Sequence, residues 1–428
     1  MTEQVHDVVV VGGGISGLTT AWHLQRAGRS LTVLEADPAA GGAMRTSREE
    51  GFLVEGGPNS LLENHPAVRD LVQGVGLEDS LQEANRVARR RYVAKEGELH
   101  PLPGSPGAFA KTPLFSTRGK LRLFAEPFIG RADSEETVAD FVRRRLGREF
   151  LDWAIDPFVS GVYAGDPHRL SVRAATPKVY ALERDYRSLF IGAIKKMLVN
   201  RHRGGAGPSG RMISFEGGAG QLPEAIARSL GDRLQTGVPV DALEKTDEGW
   251  LVRAGERQMR ARQLVLAVPA AQAARLLRPL DAALADELDA VVYPPVASVA
   301  LGFRADQVRH PLDGFGFLIP RREGVDTLGS LFSSTLFPGR APEGHVLLTS
   351  FIGGRQNPGV AEMDQDELVE QVRADLAGYL GIDGEPVFRK VNFWPRAIPQ
   401  YELGHLERMQ RVDERLASLP WLELQASY

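Results

Sequence analysis

The sequence has no cysteine in its 428 residues. That absence excludes disulfides, thiolate catalysis, iron–sulfur clusters and Cys-type zinc sites. Its nine histidines are scattered, without an HExxH or any paired metal spacing, so no metal centre is expected. Long hydrophobic runs are missing too: no stretch reaches the roughly 18 apolar residues of a membrane-spanning helix. Residues 1–7 carry no basic flank, and the apolar run behind them breaks at Gly12, Gly13 and Gly14, which is not the pattern of a signal peptide. Excess charge of one sign is also lacking, since 51 Lys and Arg against 55 Asp and Glu leave a net −4; this argues against nucleic acid as a partner. A cytoplasmic protein is expected, with any membrane contact peripheral.

What the chain does contain is a globular composition, 43% hydrophobic and 25% charged, in a length that divides into two or three folding units. DVVVVGGG reads as a buried strand, ISGLTTAWHLQRAG as a helix and SLTVLEA as a second strand, one βαβ unit over about residues 7–35. A short strand pair, RRYVAKEGELHPLP, occupies about 89–103, and residues 107–200 carry helical patterning as in ETVADFVRRRLGREFLDWAIDPFV. That stretch reads as an inserted helical domain. RHRGGAGPSGR, 201–211, is the best linker in the chain. Beyond it QLPEAIARSLG reads as helix, and VPVDALEKTDEGWLVRA and ARQLVLAVPA as strands. VASVALGF, GFGFLIP, LGSLFSS and HVLLTSFIGG then supply an antiparallel sheet. The expected fold class is α/β, a Rossmann-like domain with a sheet-based second domain and an inserted helical domain.

Gly12, Gly14 and Gly17 form GxGxxG between the first strand and its helix, and Glu35 closes the second strand 23 residues after Gly12. Gly12 permits the tight turn, Gly14 admits a pyrophosphate to the backbone, Gly17 lets helix pack on strand, and Glu35 is placed for ribose hydroxyls. FAD and NAD share this fingerprint. The next segment, EADPAAGGAMRT with Gly41, Gly42, Arg45 and Thr46, resembles the FAD-dependent amine oxidase and desaturase group. FLVEGGPNSLL resembles the part of that group that passes the isoalloxazine ring, Gly56 and Gly57 allowing close approach. GVYAGDPHRLS at 161–171, GFGFLIP at 314–320 and IPQYELGHLER at 398–408 narrow the likeness. Together these motifs resemble the protoporphyrinogen oxidase family over essentially the whole chain.

The resemblance implies FAD as cofactor and three domains. These are an FAD-binding domain from 1–88, 207–272 and 391–428, a substrate domain from 89–106 and 273–390, and a helical, membrane-binding domain over 107–206. The cofactor would be held by Gly12, Gly14, Ile15, Ser16, Gly17, Glu35, Ala36, Gly42, Ala43, Arg45, Thr46, Gly56, Gly57, Pro58 and Asn59, with Val238, Val240, Ala267, Trp394 and Tyr401 from later in the chain. The implied substrate is a porphyrinogen, apolar across its ring with propionates at one edge. The implied reaction oxidises it to a porphyrin in haem biosynthesis, in three two-electron rounds with dioxygen as acceptor. Arg91 matches an arginine that pairs with a propionate; as part of the run Arg89, Arg90, Arg91 it reads equally as a solvated face. Phe315, Leu318, Leu331 and Phe351 match apolar positions against the tetrapyrrole, and by themselves read as core. Asn59 matches a polar position near ring and flavin, and Gly165 a backbone approach to the substrate. No histidine or carboxylate stands out as a general base, so no side chain is assigned a catalytic role.

Residues 184–203 mix apolar Leu189, Phe190, Ile191, Ile194, Met197 and Leu198 with basic Arg184, Arg187, Lys195, Lys196, Arg201 and Arg203. This fits a segment lying at the inner face of the membrane, or a packing helix with a solvated basic face. A homodimer and handover of the product to ferrochelatase are further partners that the resemblance implies. The family continues past the segment matched by LELQASY into GVG-type turns and a last helix, and carries a glycine just before the position of Ala426. The expectation is a loose edge at LELQASY, weak FAD binding and little turnover in a chain ending at Tyr428. Other readings stay open: coproporphyrinogen oxidation, another flavin amine oxidase or desaturase activity, and a porphyrin-binding relative without turnover.

Overall fold

Val8, Val9, Val10 and Val11 are all buried, alternating between two cores, because the strand Val5–Val11 lies inside a parallel sheet covered on both faces. The computed structural model describes residues 5–202, 210–426 and 428. The first sheet runs in the order Leu234–Gln235, Leu31–Leu34, Val5–Val11, Arg257–Leu266, Gly249–Ala254, Ala242–Thr246. Its first four strands are parallel and its last two form an antiparallel hairpin. Val8 and Val10 pack with Trp22 and Ile226 of the helices Ile15–Arg26 and Gln221–Leu230. Val9 and Val11 pack with Leu277, Leu288 and Val412 of the helices Ala270–Leu277, Ala282–Asp289 and His405–Leu416. Leu422–Leu424 pairs in parallel with Leu264–Leu266, so LELQASY contributes a bonded strand where a loose edge was expected.

The second sheet runs Phe388–Trp394, Val296–Arg304, His345–Gly353, Thr327–Phe332, Gly316–Leu318, Tyr92–Lys95, Glu98–Pro101. One face, with Ala297, Val299, Leu301 and Phe303, is covered by Leu368, Val372 and Leu376 of the helix Gln365–Leu380. That helix starts at a capping box between Asp364 and Glu367 and stops at Gly381, whose φ of +60° suits glycine. The other face meets the hairpin Thr46–Glu49/Phe52–Glu55, with Phe52 stacked on Phe388 at 4.6 Å between ring centroids.

Four expected boundaries fall inside elements, those at 88/89 and 106/107 cutting the short turn Arg86–Arg89 and the helix Pro106–Lys111. The division at 272/273 cuts the helix Ala270–Leu277, whose Ala273, Ala274, Leu276 and Leu277 cover the first sheet. The division at 390/391 cuts the strand Phe388–Trp394 of the second sheet. Patterning reveals an amphipathic element but not which sheet its apolar side covers. The expected linker falls largely at 203–209, and with Arg203 and the 206/207 boundary lies outside the described residues.

The expected helical insert is a run of helices from Pro106–Lys111 to Leu189–His202. Val138, Phe141, Val142 and Arg145 recur at helical spacing on the helix Val138–Arg145, which puts Arg145 on the apolar face. Its side chain is fully buried, with Nη1 donating to Glu126 at 3.1 Å and Nε to Glu183 at 2.6 Å. Arg145→Leu leaves buried Glu126 without its cation and Glu183 with Arg144 alone, and should destabilise the fold by about 3–5 kcal/mol in urea denaturation. Arg144, which meets Glu136 and Glu183 but keeps 23% of its side chain exposed, should cost clearly less when replaced by Leu; equal losses would contradict the buried-charge account.

Candidate cofactor and substrate site

The glycines of the first turn do different work. A Cβ on Gly12, whose φ is +106°, would strike the Ala267 carbonyl, and one on Gly17 would strike the Gly12 carbonyl, so both serve the packing of helix on strand. A Cβ on Gly14 would meet nothing within 4 Å. Gly14 therefore borders open space at the N-terminus of a 12-residue helix, where the first backbone N–H groups lack intrahelical partners and attract anions. Glu35 accepts from the Gly13 N–H at 2.6 Å and the Asp37 N–H at 2.8 Å, and its carbonyl accepts from Val238 N–H at 2.8 Å. The Gly41 N–H donates to Gly13 O at 2.8 Å and brings in Gly42, forming the far wall of the cradle. Arg45 is paired with Asp37, Ile15 packs partly on the core, and Ser16, Ala36, Ala43 and Pro58 are exposed around the cradle and its continuation.

From Thr46 onward the chain crosses toward the second sheet. Glu55, 4% exposed, accepts from Thr46 Oγ1 and from Ala219 N–H at 3.0 Å, and faces Arg340 at 3.3 Å. Burial pushes the Glu55 carboxyl above its ordinary value and the Arg340 guanidinium below its own; Thr46, Ala219 and Arg340 partly restore the carboxylate. The cluster carries the segment Gly56, Gly57, Pro58, Asn59. Trp394 Nε1 donates to Gly56 O at 2.7 Å, Asn59 Nδ2 to Gly57 O at 3.3 Å, and a Cβ on Gly57 would strike the Ala43 carbonyl. Sequence reasoning missed Glu55 and Arg340; the available signal was a carboxylate closing the otherwise apolar run Phe52, Leu53, Val54.

The second sheet meets this segment at Trp394 and near Thr349, and the Leu318 end of the same face meets Gly161 of the helix Asp156–Tyr163. Leu318, Gly329, Phe351, Ser298 and Asn392 are register partners across five strands, and Leu331 and Thr349 lie in the next row on the same face. Phe315 packs beside Leu331 and Phe337, and the Arg91 guanidinium sits 5.0 Å from the Phe315 ring centroid. Arg90 is held by Asp313, which also accepts from Tyr92 Oη at 2.6 Å, whereas exposed Arg91 has no carboxylate partner among the described residues.

Three expected site residues are placed differently. Val240 is 5% exposed in the core with Leu243 and Trp250, so its side chain serves the sheet. Tyr401 packs on the helical core and against His405 at 4.6 Å, because it lies in the loop that leads from the strand Phe388–Trp394 into the helix His405–Leu416. The Cβ position of Gly165 is taken by Gln400 Oε1 and Leu170 Cδ1, each at 2.8 Å, so that glycine makes room for protein. Ala267 lies directly under the Gly12 turn, its N–H donating to Val11 O at 2.7 Å.

Residues 15–419 match the family of flavin containing amine oxidoreductases. The chain belongs to this family. Within it, the chain is 39% identical to the chloroplastic protoporphyrinogen oxidase of Oryza sativa subsp. japonica, over 96% of this chain and 81% of that protein. It is 30% identical to the coproporphyrinogen III oxidase of Bacillus subtilis (strain 168), over 98% of this chain and 92% of that one. A crystal structure from Exiguobacterium sp. 255-15, of a protein provisionally named a protoporphyrinogen oxidase, superposes with a TM-score of 0.84 at 27% identity, covering 99% of this chain and 94% of that one. This flavin oxidoreductase thus takes FAD, and its residues fit the cofactor. The space beyond Gly14 admits a pyrophosphate at the helix N-terminus, and the Glu35 carboxylate stands at the end of the second strand for a ribose. Gly14→Val should leave folding intact and abolish FAD binding, while Gly17→Val should lose both. Circular dichroism melts with flavin absorbance check this; full flavin content in Gly14→Val would refute the cradle.

Proposed function

We propose that this flavin oxidoreductase oxidises a porphyrinogen to the porphyrin, protoporphyrinogen IX to protoporphyrin IX, with dioxygen as the final electron acceptor. The reading is carried by the apolar side chains Leu318, Leu331 and Phe351 on the sheet face that meets the Gly56–Asn59 segment through Trp394, with the Arg91 guanidinium, free of a carboxylate partner among the described residues, beside Phe315. An apolar wall with a cation at its rim complements a macrocycle that is apolar across its plane and carboxylated at one edge. Bound FAD supplies the two-electron acceptor for hydride removal. The chain's own residues orient and desolvate: Arg91 holds a propionate, the wall seats the ring, and Glu55 and Arg340 neutralise one another within the supporting layer. The test is anaerobic mixing with protoporphyrinogen, read as flavin bleaching matched by porphyrin fluorescence. Bleaching by amines without bleaching by porphyrinogens would overturn the proposal.

A second reading, a substrate with four propionates, is favoured by one observation. Arg86 and Arg89 join Arg90 and Asp313 around a cleft of about 280 Å³, which adds cations to the same rim. Comparing kcat/KM for coproporphyrinogen and protoporphyrinogen decides between them. With either substrate, Arg91→Ala should raise KM more than it lowers kcat, because a propionate contact is felt equally in ground and transition states. An unchanged KM would return Arg91 to a solvated face.

The finer part of the proposal is a peripheral membrane surface on the helical unit. It is supported by Phe124 and Phe128, 77% and 89% exposed, with Leu121, Ile191 and Ile194 also exposed, beside Lys120, Lys195 and Lys196. No described helix is long and apolar enough to cross a membrane. Replacing Phe124 and Phe128 by Ser should reduce co-sedimentation with anionic vesicles several-fold without changing flavin content. Sedimentation equal to the parent would remove this surface from the proposal.

A further inference from the structure

Buried polar groups are nearly always hydrogen-bonded, so each exception calls for an explanation. Among the described residues four buried side-chain atoms have no partner: Gln82 Oε1, Gln400 Oε1, Ser298 Oγ and Asn392 Nδ2. Gln82 stands alone in the strand Leu81–Glu83, and Gln400 Oε1 lies behind Gly165. Ser298 and Asn392 are different, because they are register partners on adjacent strands of the second sheet. An amide donor and a hydroxyl thus lie side by side, unsatisfied, on a face that is otherwise largely apolar.

The direction of that face follows from the neighbours of Asn392. Alternate residues of the strand Phe388–Trp394 point the same way. Lys390 Nζ donates to Ser47 Oγ at 2.8 Å, and Trp394 Nε1 donates to Gly56 O at 2.7 Å. Asn392 sits between them and so faces the chain between Ser47 and Gly56, where it enters the Gly56–Asn59 segment. On its other side Ser298 pairs in register with Phe351 of the apolar wall. The pair therefore occupies the seam between the flavin-passing segment and the substrate wall.

We propose that Ser298 and Asn392 form a hydrogen-bonding station for the heteroatom edge of the FAD isoalloxazine, with Asn392 Nδ2 as the donor to a ring acceptor. A carboxamide does not surrender its proton, so the pair orients and tunes the ring and takes no part in proton transfer. Reduction adds electron density to the ring, and a fixed donor then binds the reduced form more tightly than the oxidised form. The pair thereby raises the midpoint potential of the bound flavin. In return the apoprotein carries two unsatisfied polar groups, which lower its own stability.

This inference rests on FAD binding and not on the porphyrinogen reading, so its test uses FAD alone. Asn392→Leu and Ser298→Ala should each raise the melting temperature of the apoprotein, weaken FAD roughly three- to tenfold, the range of one lost hydrogen bond, and lower the flavin midpoint potential. Ser298→Thr, which keeps the hydroxyl, should stay near the parent in FAD affinity and potential. If Asn392→Leu fails to fold, Asn392→Ala removes the donor without adding charge and carries the same expectation for affinity and potential. FAD affinity, flavin spectrum and potential all unchanged in the donor-deleting variants would overturn the proposal. An apoprotein melting temperature that falls while FAD affinity holds would do the same, by assigning the pair to a structural water. Loss of porphyrinogen oxidation with unchanged flavin properties would also count against it, since the pair would then belong to the substrate.

Discussion

The buried carboxylate of Glu55 is the point on which the arrangement of the two sheets turns. It gathers Thr46 from the glycine-rich segment, the Ala219 N–H from the turn before the helix Gln221–Leu230, and Arg340 from the second unit. Arg340 in turn donates to Ser214 Oγ at 2.6 Å. Burial opposes the charge on both Glu55 and Arg340; Thr46, Ala219 and Arg340 favour the carboxylate, and Glu55 favours the guanidinium, so removing either partner leaves the other less compensated in the interior. The pair stabilises less than its proximity suggests. What it contributes is placement, since the next residues, Gly56 and Gly57, must pass between the sheets with no side chain to spare.

That placement sets the chemistry. The cradle at Gly14 and Glu35 belongs to the first sheet and the wall of Leu318, Leu331 and Phe351 to the second, so neither sheet alone makes a site. A long cofactor laid along the Gly41–Asn59 stretch would have its phosphates at the helix N-terminus and its ring against the wall. An apolar wall also excludes water, which strengthens the few polar contacts inside it and protects a reactive reduced ring. Arg91 escapes the pairing that holds Arg90 because Asp313, supported by Tyr92, is already taken.

The helical unit follows a separate logic. Its interior is organised around Arg145, Glu126 and Glu183, with Ser188 Oγ donating to Glu126 at 2.5 Å. These bonds hold the short Leu123–Phe128 turn against the helices Pro177–Tyr186 and Leu189–His202. With its carboxylate turned inward, that turn presents Phe124 and Phe128 outward. The same buried charges that shape the unit thus also create its most exposed aromatic surface.

Much of the nucleotide-binding half was legible in the sequence, because its constraints are local. The strand, the GxGxxG turn, the helix and the acid at Glu35 span fewer than forty residues; Gly12 and Gly17 answer contacts within that unit or with Ala267, and Gly14 leaves open space at the helix N-terminus. The motif order through Thr46 and Gly57 carried the cofactor in the same way. The rest was decided by tertiary structure. A period of two tells that Leu331 and Phe351 share a face, but not that the face looks toward Gly56; that follows from Trp394, 338 residues away from its acceptor. That Arg90 is held while Arg89 and Arg91 have no carboxylate partner among the described residues depends on Asp313, 223 residues beyond Arg90. Glu55 and Arg340, Arg145 and Glu126, Ser298 and Asn392 acquire meaning only as pairs. A charged or polar side chain shows its type in the sequence, but its partner, its burial and hence its energetic role exist only once distant segments are packed together.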